Sequence, residues 1–458
     1  MCMFKKKYSK NSNAVTNQNN DSCASVSGSG MQLNGDEPGF VAGIYYTNWS
    51  PYKPRAHYLP EINTDQVSHI YYAFFLVDPK TGKLKSSDTW SDFEKPIDHF
   101  KSKLTGGIGT LFQMKTNEFH NKQQSFKSIL SVGGWSNREA FPVMVKSKAK
   151  MDCFIQSCVD TMFEYGFDGI DLDWEFPEDD GVEPMKYYEI IQGLRRQLDR
   201  LETTIFGESS RKFHLSVATP AFEEKLKILP IDKMDKYVDL WNMMTYDYYG
   251  EWSEYTGIHC NLYGNPSDKN KDSGLNGDAA IKYMISKYKI PPRKLVLGMV
   301  LYGRSFTHVQ ASISNKSTLP QCIGRKFSGV GGATKDEPGM WPYNRLPLPN
   351  SQEVYEPQSG AAFCYNPQTK TMVGYDNIKS VQQKAMYIKD FKLAGTFWWE
   401  SSGNTWQRET YSLVNEFYLN IPSVRKASFN IYMDDRCRKY YLSKHEGTGF
   451  LSNILGGE

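Results

Sequence analysis

Four carboxylates fall within the stretch GFDGIDLDWEFP, residues 166–177: Asp168, Asp171, Asp173 and Glu175. Ile170, Leu172 and Trp174 lie between them and belong in a strand interior, not on a solvated edge. Alternate side chains of a strand share a face, so Asp171, Asp173 and Glu175 point one way and the three apolar residues the other. Asp168 has the opposite parity, so it is expected either to play a supporting role or to sit before regular pairing begins. Three carboxylates a strand pitch apart resist full ionisation, so at least one pKa rises and one proton is shared. The outermost, Glu175, is best placed to hand that proton to a substrate as a general acid. Asp173 can take up a proton and a charge partner, with Asp171 tuning it from below. A metal would want His or carbonyl ligands as well, so no metal is expected.

Strands and helices alternate around this segment. Short β-branched or aromatic runs occur at 40–46, 67–75, 127–134, 167–174, 212–220, 238–247, 294–303 and 393–401. Between several of them, apolar residues recur at helical spacing: over 151–165, 185–204 (with Pro184 just before it), 278–288 and 377–391. Strands alternating with helices imply parallel βαβ units, and eight of them predict a closed (β/α)8 TIM barrel in the α/β class. An open doubly wound sheet is the rival, but no Gly-rich phosphate loop follows the first strand. The acids would then line the barrel interior and rise towards the strand's C-terminal end, where barrel enzymes carry their chemistry.

About ninety residues separate the seventh strand from the eighth, against roughly thirty for a βα unit. Residues 307–375 are therefore read as a small α+β insertion between strands 7 and 8, leaving 38–306 and 376–420 as the barrel. Residues 1–37 are Asn-, Ser- and Gly-rich and are expected to be disordered, while the Lys/Arg-rich tail at 421–458 receives no role.

Composition excludes several classes. With 40% hydrophobic residues in 458, there is ample apolar surface for one large core. A net charge of +3 without a basic block argues against nucleic acid, and no apolar run suffices for a membrane span. No CxxC pair occurs among the eight cysteines, which read as scattered core thiols. Asn48 and Asn315 fit the glycosylation sequon, and no secretory signal is visible at the N-terminus.

Asp168 to Glu175 resembles the DxxDxDxE signature of glycoside hydrolase family 18, the chitinases. SVGG at 131–134 resembles the family's SxGG strand, Met244 to Asp247 its MxYD strand, and YGRSF at 302–306 the start of the insertion in one subgroup. The likeness runs from about 40 to 420 and is greatest to the yeast sporulation-type members. It implies hydrolysis of chitin or chito-oligosaccharides by a monomer without a cofactor, with Glu175 as acid and base, and Asp173 and Tyr246 handling the substrate's acetamido group. It also implies that Tyr45, Phe74, Trp135, Met244, Asp247, Trp252, Tyr302, Arg304 and Trp399 contact sugar, with Trp399 flooring the pocket. Lectins of this fold typically lose the acid at the Glu175 position, and here it is present. Endo-β-N-acetylglucosaminidases share the mechanism, but the long insertion and paired groove tryptophans favour a linear polymer. Phe397 is bulkier than in many relatives and is expected to reshape the pocket base. Ser131, Gly133 and Gly134 are expected to serve close backbone packing. Chitin lies outside the cell, so the missing secretory signal stands apart from an expected extracellular, cell-wall or spore-wall location.

Overall fold

The eight apolar runs become parallel strands in the computed structural model, which describes residues 39–96, 104–269, 274–311, 321–334, 337–445 and 448–455. The polar tail at 1–37 and the Asn315 sequon fall outside these residues. The barrel strands are β1 (Val41–Thr47), β2 (His69–Val77), β4 (Lys127–Gly133), β5 (Gly169–Asp173), β6 (His214–Pro220), β7 (Leu240–Met244), β8 (Leu295–Val300) and β14 (Gly395–Trp399). They pair in the order β1-β14-β8-β7-β6-β5-β4-β2, and a β1–β2 ladder closes the ring into a (β/α)8 barrel. A short strand β3 (Leu84–Ser86) runs antiparallel beside β2.

Helices cover the outside where the apolar stripes predicted them, at Lys148–Glu164, Glu183–Phe206, Gly277–Tyr288 and Ile378–Asp390. Their ends follow local chemistry. The side chain of Ser147 accepts from Lys150 N–H, and that of Asn276 from Ala279 N–H. Pro184 occupies the first turn of Glu183–Phe206, and Gly207, at φ +84°, ends that helix in the left-handed region.

The seventh barrel strand ends earlier than expected. Leu301 is the handover: its N–H still bonds the barrel at Trp399 O (2.8 Å), while its carbonyl accepts from Tyr343 N–H (2.9 Å). Beyond it, β9 (Tyr302–Phe306) joins β10 (Met340–Pro342), β11 (Gln352–Glu356), β12 (Ala361–Asn366) and β13 (Thr371–Tyr375) in an antiparallel sheet of order β10-β9-β13-β12-β11. YGRSF therefore lies in the second sheet, not in the barrel as its placement within 38–306 had it. The apolar pattern runs through Leu301 unbroken, so nothing in the periodicity marks the change of sheet.

Residues after 420 are not a loose tail. They cross the N-terminal face of the barrel, the end away from the acids. Val424 bridges to Phe40, and Ala427 exchanges two main-chain hydrogen bonds with Ser125 (2.8 and 2.6 Å). Tyr432 packs on Phe112 and Phe163, with ring centroids 5.7 and 5.8 Å apart. Gly166, at φ +75°, lies so close that a Cβ there would stand 2.8 Å from the Tyr432 ring. Glu164 anchors the far end, accepting from Tyr441 Oη–H at 3.0 Å and Phe450 N–H at 2.6 Å and pairing with His445 at 2.7 Å.

Two smaller expectations also meet the structure. The six described cysteines are free thiols, five of them buried. Asn48 is 1% exposed, with its amide donating to Ser87 and Asp92, so that sequon is not available on the folded surface.

Candidate active site

Strand β5 carries the acids inward, and the side chains of its neighbours surround the lowest of them with donors. Asp171 accepts from Tyr45 Oη (2.8 Å), Ser131 Oγ (2.8 Å), Ser216 Oγ (2.7 Å) and Asn242 Nδ2 (3.1 Å). Ser131 and Ser216 are the register partners of Asp171 on the two flanking strands, which is why they reach it. Ser131 thus does more than permit close packing. Burial raises the Asp171 pKa, and these hydrogen bonds pull it back down.

One step up, Asp173 is 4% exposed and its Oδ1 has no partner among the described residues. Burial first, then the charges of Glu175 and Asp171, push its pKa well above the ordinary carboxylate range. Glu175, just past the strand and half-buried, is pushed up to about 7 by burial and by the charge of Asp247. The N–H of Trp135 and the charge of Arg138 oppose that shift. Both upper acids are therefore shifted towards the protonated form, a consequence of stacking carboxylates in a buried column where only the lowest is surrounded by side-chain donors.

The odd-parity members have structural work. Trp174 stacks on Phe141 at 5.1 Å, outside the barrel interior. Asp168 pairs with buried Lys115 and accepts from Ser128 N–H at 2.8 Å. Gly133 sits beside Asp173 in register, where a Cβ would lie 2.1 Å from Asp173 O.

The chain leaving β7 supplies Met244, Tyr246 and Asp247. Tyr246 is held edge-on by Phe397 (6.0 Å) and Tyr302 (6.4 Å). Phe397 also meets Tyr45 at 5.5 Å, so its bulk props two tyrosines at the pocket base. Asp247 accepts from Tyr302 Oη (2.6 Å) and from Arg304 Nε (2.5 Å) and Nη2 (2.8 Å). Tyr302 and Arg304 are two apart on β9 and share its face, so the insertion itself provides these partners. Burial would raise the Asp247 pKa, but the Arg304 guanidinium outweighs it and holds the carboxyl far below the usual range.

Aromatic rings form the wall opposite. Trp399 stacks on Phe74 at 5.6 Å and meets Tyr45 at 5.4 Å and Trp49 at 6.5 Å. Met244 packs against the same cluster. Trp135 and Trp252 stand apart from it, each stacked on a guanidinium: Arg138 at 4.1 Å and Arg304 at 4.8 Å. Trp135 is 42% exposed, leaving ring surface for a flat apolar ligand. An open pocket runs on from Trp399 between the loop after β1 and the insertion, lined by Trp49, Arg55, Glu337, Met340 and Glu400.

Sequence reasoning missed Trp49, Asn242, Ser216 and Glu400. Asn242 was within reach, since it shares strand parity with Met244 and Tyr246. Ser216 carried no signal, because its role depends on the register of a neighbouring strand.

Comparison with known proteins places the chain in a family. Residues 41–404 match the model of the glycosyl hydrolases family 18. The chain is 43% identical over 444 residues to sporulation-specific chitinase 2 of Saccharomyces cerevisiae, covering 91% of this chain and 84% of that one. It is 31% identical to chitinase 1 of Aphanocladium album, covering 88% and 90%. Among solved structures, chitinase ChiA74 from Bacillus thuringiensis shares the fold with a TM-score of 0.72 at 24% identity, over 84% of this chain and 70% of that one. On the family match and these identities, the chain belongs to glycosyl hydrolase family 18 and is a glycoside hydrolase.

Proposed function

We propose that the protein is a chitinase that hydrolyses β-1,4-linked N-acetylglucosamine polymers with retention, using the substrate's own acetamido group as nucleophile. The observation that carries this reading is the acid stack: Asp171 saturated by four donors, Asp173 with an Oδ1 that has no partner among the described residues, and Glu175 just past the end of the same strand. Glu175 protonates the glycosidic oxygen as that bond to the anomeric carbon breaks. The acetamido carbonyl oxygen attacks the same carbon, forming an oxazolinium ion. Water then attacks as Glu175 takes back a proton, so the enzyme returns to its starting state. Asp173 accepts the acetamido N–H through its free oxygen, and Tyr246 donates to the acetamido oxygen and aims it, a positioning effect worth several kcal/mol. Asp247 with Arg304 and Tyr302 holds the sugar, and Trp399 floors it. Likeness to a protein named a sporulation-specific chitinase supports a setting in fungal cell-wall or spore-wall remodelling.

Such a mechanism needs the acetamido group. The full-length protein is therefore expected to shorten chitohexaose and to leave cellohexaose untouched, as read by mass spectrometry. Equal cleavage of both would rule the mechanism out.

A pH dependence follows from Glu175. The acid must be protonated in the free enzyme, and its pKa is raised to about 7, so kcat/KM stays level below that pH and falls as pH rises through it. A pH–rate profile on chito-oligosaccharide measures this. A fall already complete by pH 5.5 would mean that Glu175 is not the acid, or is not raised.

A further inference from the structure

The chain leaving β7 makes an unusual exit. Thr245 N–H bonds back to Met243 O, and Tyr246 N–H to Met244 O, both at 2.8 Å. Asp247 follows at φ +60°, in the left-handed region that a non-glycine residue seldom occupies. This exit turns two consecutive side chains, Tyr246 and Asp247, towards the same cleft, where an extended strand would send them to opposite faces.

One buried side chain meets that turn directly. His259 is 0% exposed. The main-chain N–H of Asp247 points at its Nδ1 at 3.4 Å, and its own carbonyl accepts from Tyr248 N–H at 3.1 Å. Its ring lies against Tyr302 with centroids 4.9 Å apart, and its Nδ1 is 3.4 Å from Asp247 Oδ1. Nε2 is buried and has no partner among the described residues. His259 itself is held by the insertion. Thr256 exchanges main-chain bonds with Arg325 and Gly324 at 2.9 Å, and Leu262 N–H donates to Ser359 O at 2.8 Å. Gly374 on β13 packs on Ile258, where a Cβ would lie 3.2 Å from the Ile258 Cα.

We propose that His259 is a positioning residue for the reaction: its bare Nδ1 accepts the Asp247 N–H and clamps the left-handed turn that presents Tyr246 and Asp247. Through His259 the insertion, beyond walling the cleft, sets where the Tyr246 hydroxyl lies. The ring is neutral with its hydrogen on Nε2, since Nδ1 serves as acceptor. Burial favours the neutral ring, and the charge of Arg304 adds to that, against the opposing pull of Asp247. The inference rests on the role given above to Tyr246.

Two measurements on the full-length protein test it. The first compares His259→Leu, which removes the acceptor at similar volume, with His259→Asn, which restores a polar atom near the place of Nδ1. Misplacing a positioning group is expected to lower kcat on chitohexaose about 10- to 100-fold with KM nearly unchanged in the Leu variant, and the Asn variant should recover most of it. Full kcat in the Leu variant, or an equal loss in both variants, would overturn the proposal. The second is the 15N spectrum of the His259 ring in the wild type at pH 7. Hydrogen on Nε2 alone is expected, and hydrogen on Nδ1 overturns the proposal whatever the substrate. If the wild type fails to cleave chitohexaose, the chitinase reading falls, and the ring spectrum still decides whether the clamp exists.

Discussion

Glu175→Gln is expected to lower turnover of chito-oligosaccharide by about 10²–10⁴-fold, the range typical of losing a general acid. Glutamine has the same shape and keeps an acceptor, but has no proton to give to the leaving oxygen. Binding is expected to survive, because sugar affinity in this account comes from other groups. Trp399 and its ring neighbours, Tyr246, and the Asp247–Arg304 pair are not built on Glu175. Removing the residue also removes a charge that raises the pKa of Asp173, so Asp173 should ionise at lower pH in the variant. Calorimetric titration with chitohexaose beside a turnover assay separates these effects. A variant that folds but no longer binds would assign Glu175 to affinity in place of proton transfer.

Ending the chain after Asn420 is expected to destabilise the barrel by several kcal/mol, although every proposed catalytic group is retained. Residues 421–455 bury Ile421, Ile431, Tyr432, Tyr441, Leu451 and Leu455, each less than 9% exposed. Fully burying a large apolar side chain is worth about 1.5–3 kcal/mol. Ordering the segment costs conformational entropy and cancels part of that sum. Deletion would also uncover Phe112 and Phe163 on the barrel's N-terminal face and leave Glu164 without its Tyr441, Phe450 and His445 partners. Against a total stability of about 5–15 kcal/mol, the truncated chain should melt at least about 10 °C lower or fail to accumulate in soluble form. Differential scanning calorimetry of the two proteins decides it. Equal melting temperatures would show that the segment merely rests on the barrel. The active-site comparisons accordingly belong in the full-length chain.

What was legible in the sequence follows a physical division. The acid stack could be read because strand parity is strictly local: Ile170, Leu172 and Trp174 identify the outward face, and the acids take the other. The barrel could be read because eight runs of the right length alternate with helical stripes. What stayed hidden depends on contacts between residues distant in the chain. Ser216 matters only because β6 lies beside β5 in a register that sets it against Asp171. His259 matters because a loop returns beneath the turn at Asp247, twelve residues earlier. The C-terminal segment could be given no role from sequence because what its apolar residues cover, Phe112 and Phe163 among them, lies hundreds of residues earlier in the chain. At Leu301 a continuous apolar run crosses from one sheet to another with no change in pattern.

In the proposed mechanism the acetamido oxygen, and not water, first attacks the anomeric carbon. Proton NMR of chitohexaose during its first minutes with the full-length enzyme tests this most directly, because the new reducing end appears before it equilibrates. Two successive displacements return the original configuration, so the β-anomer is expected first, with the α-anomer growing in later by mutarotation. Initial appearance of the α-anomer would show a single displacement by water and rule out attack by the acetamido group.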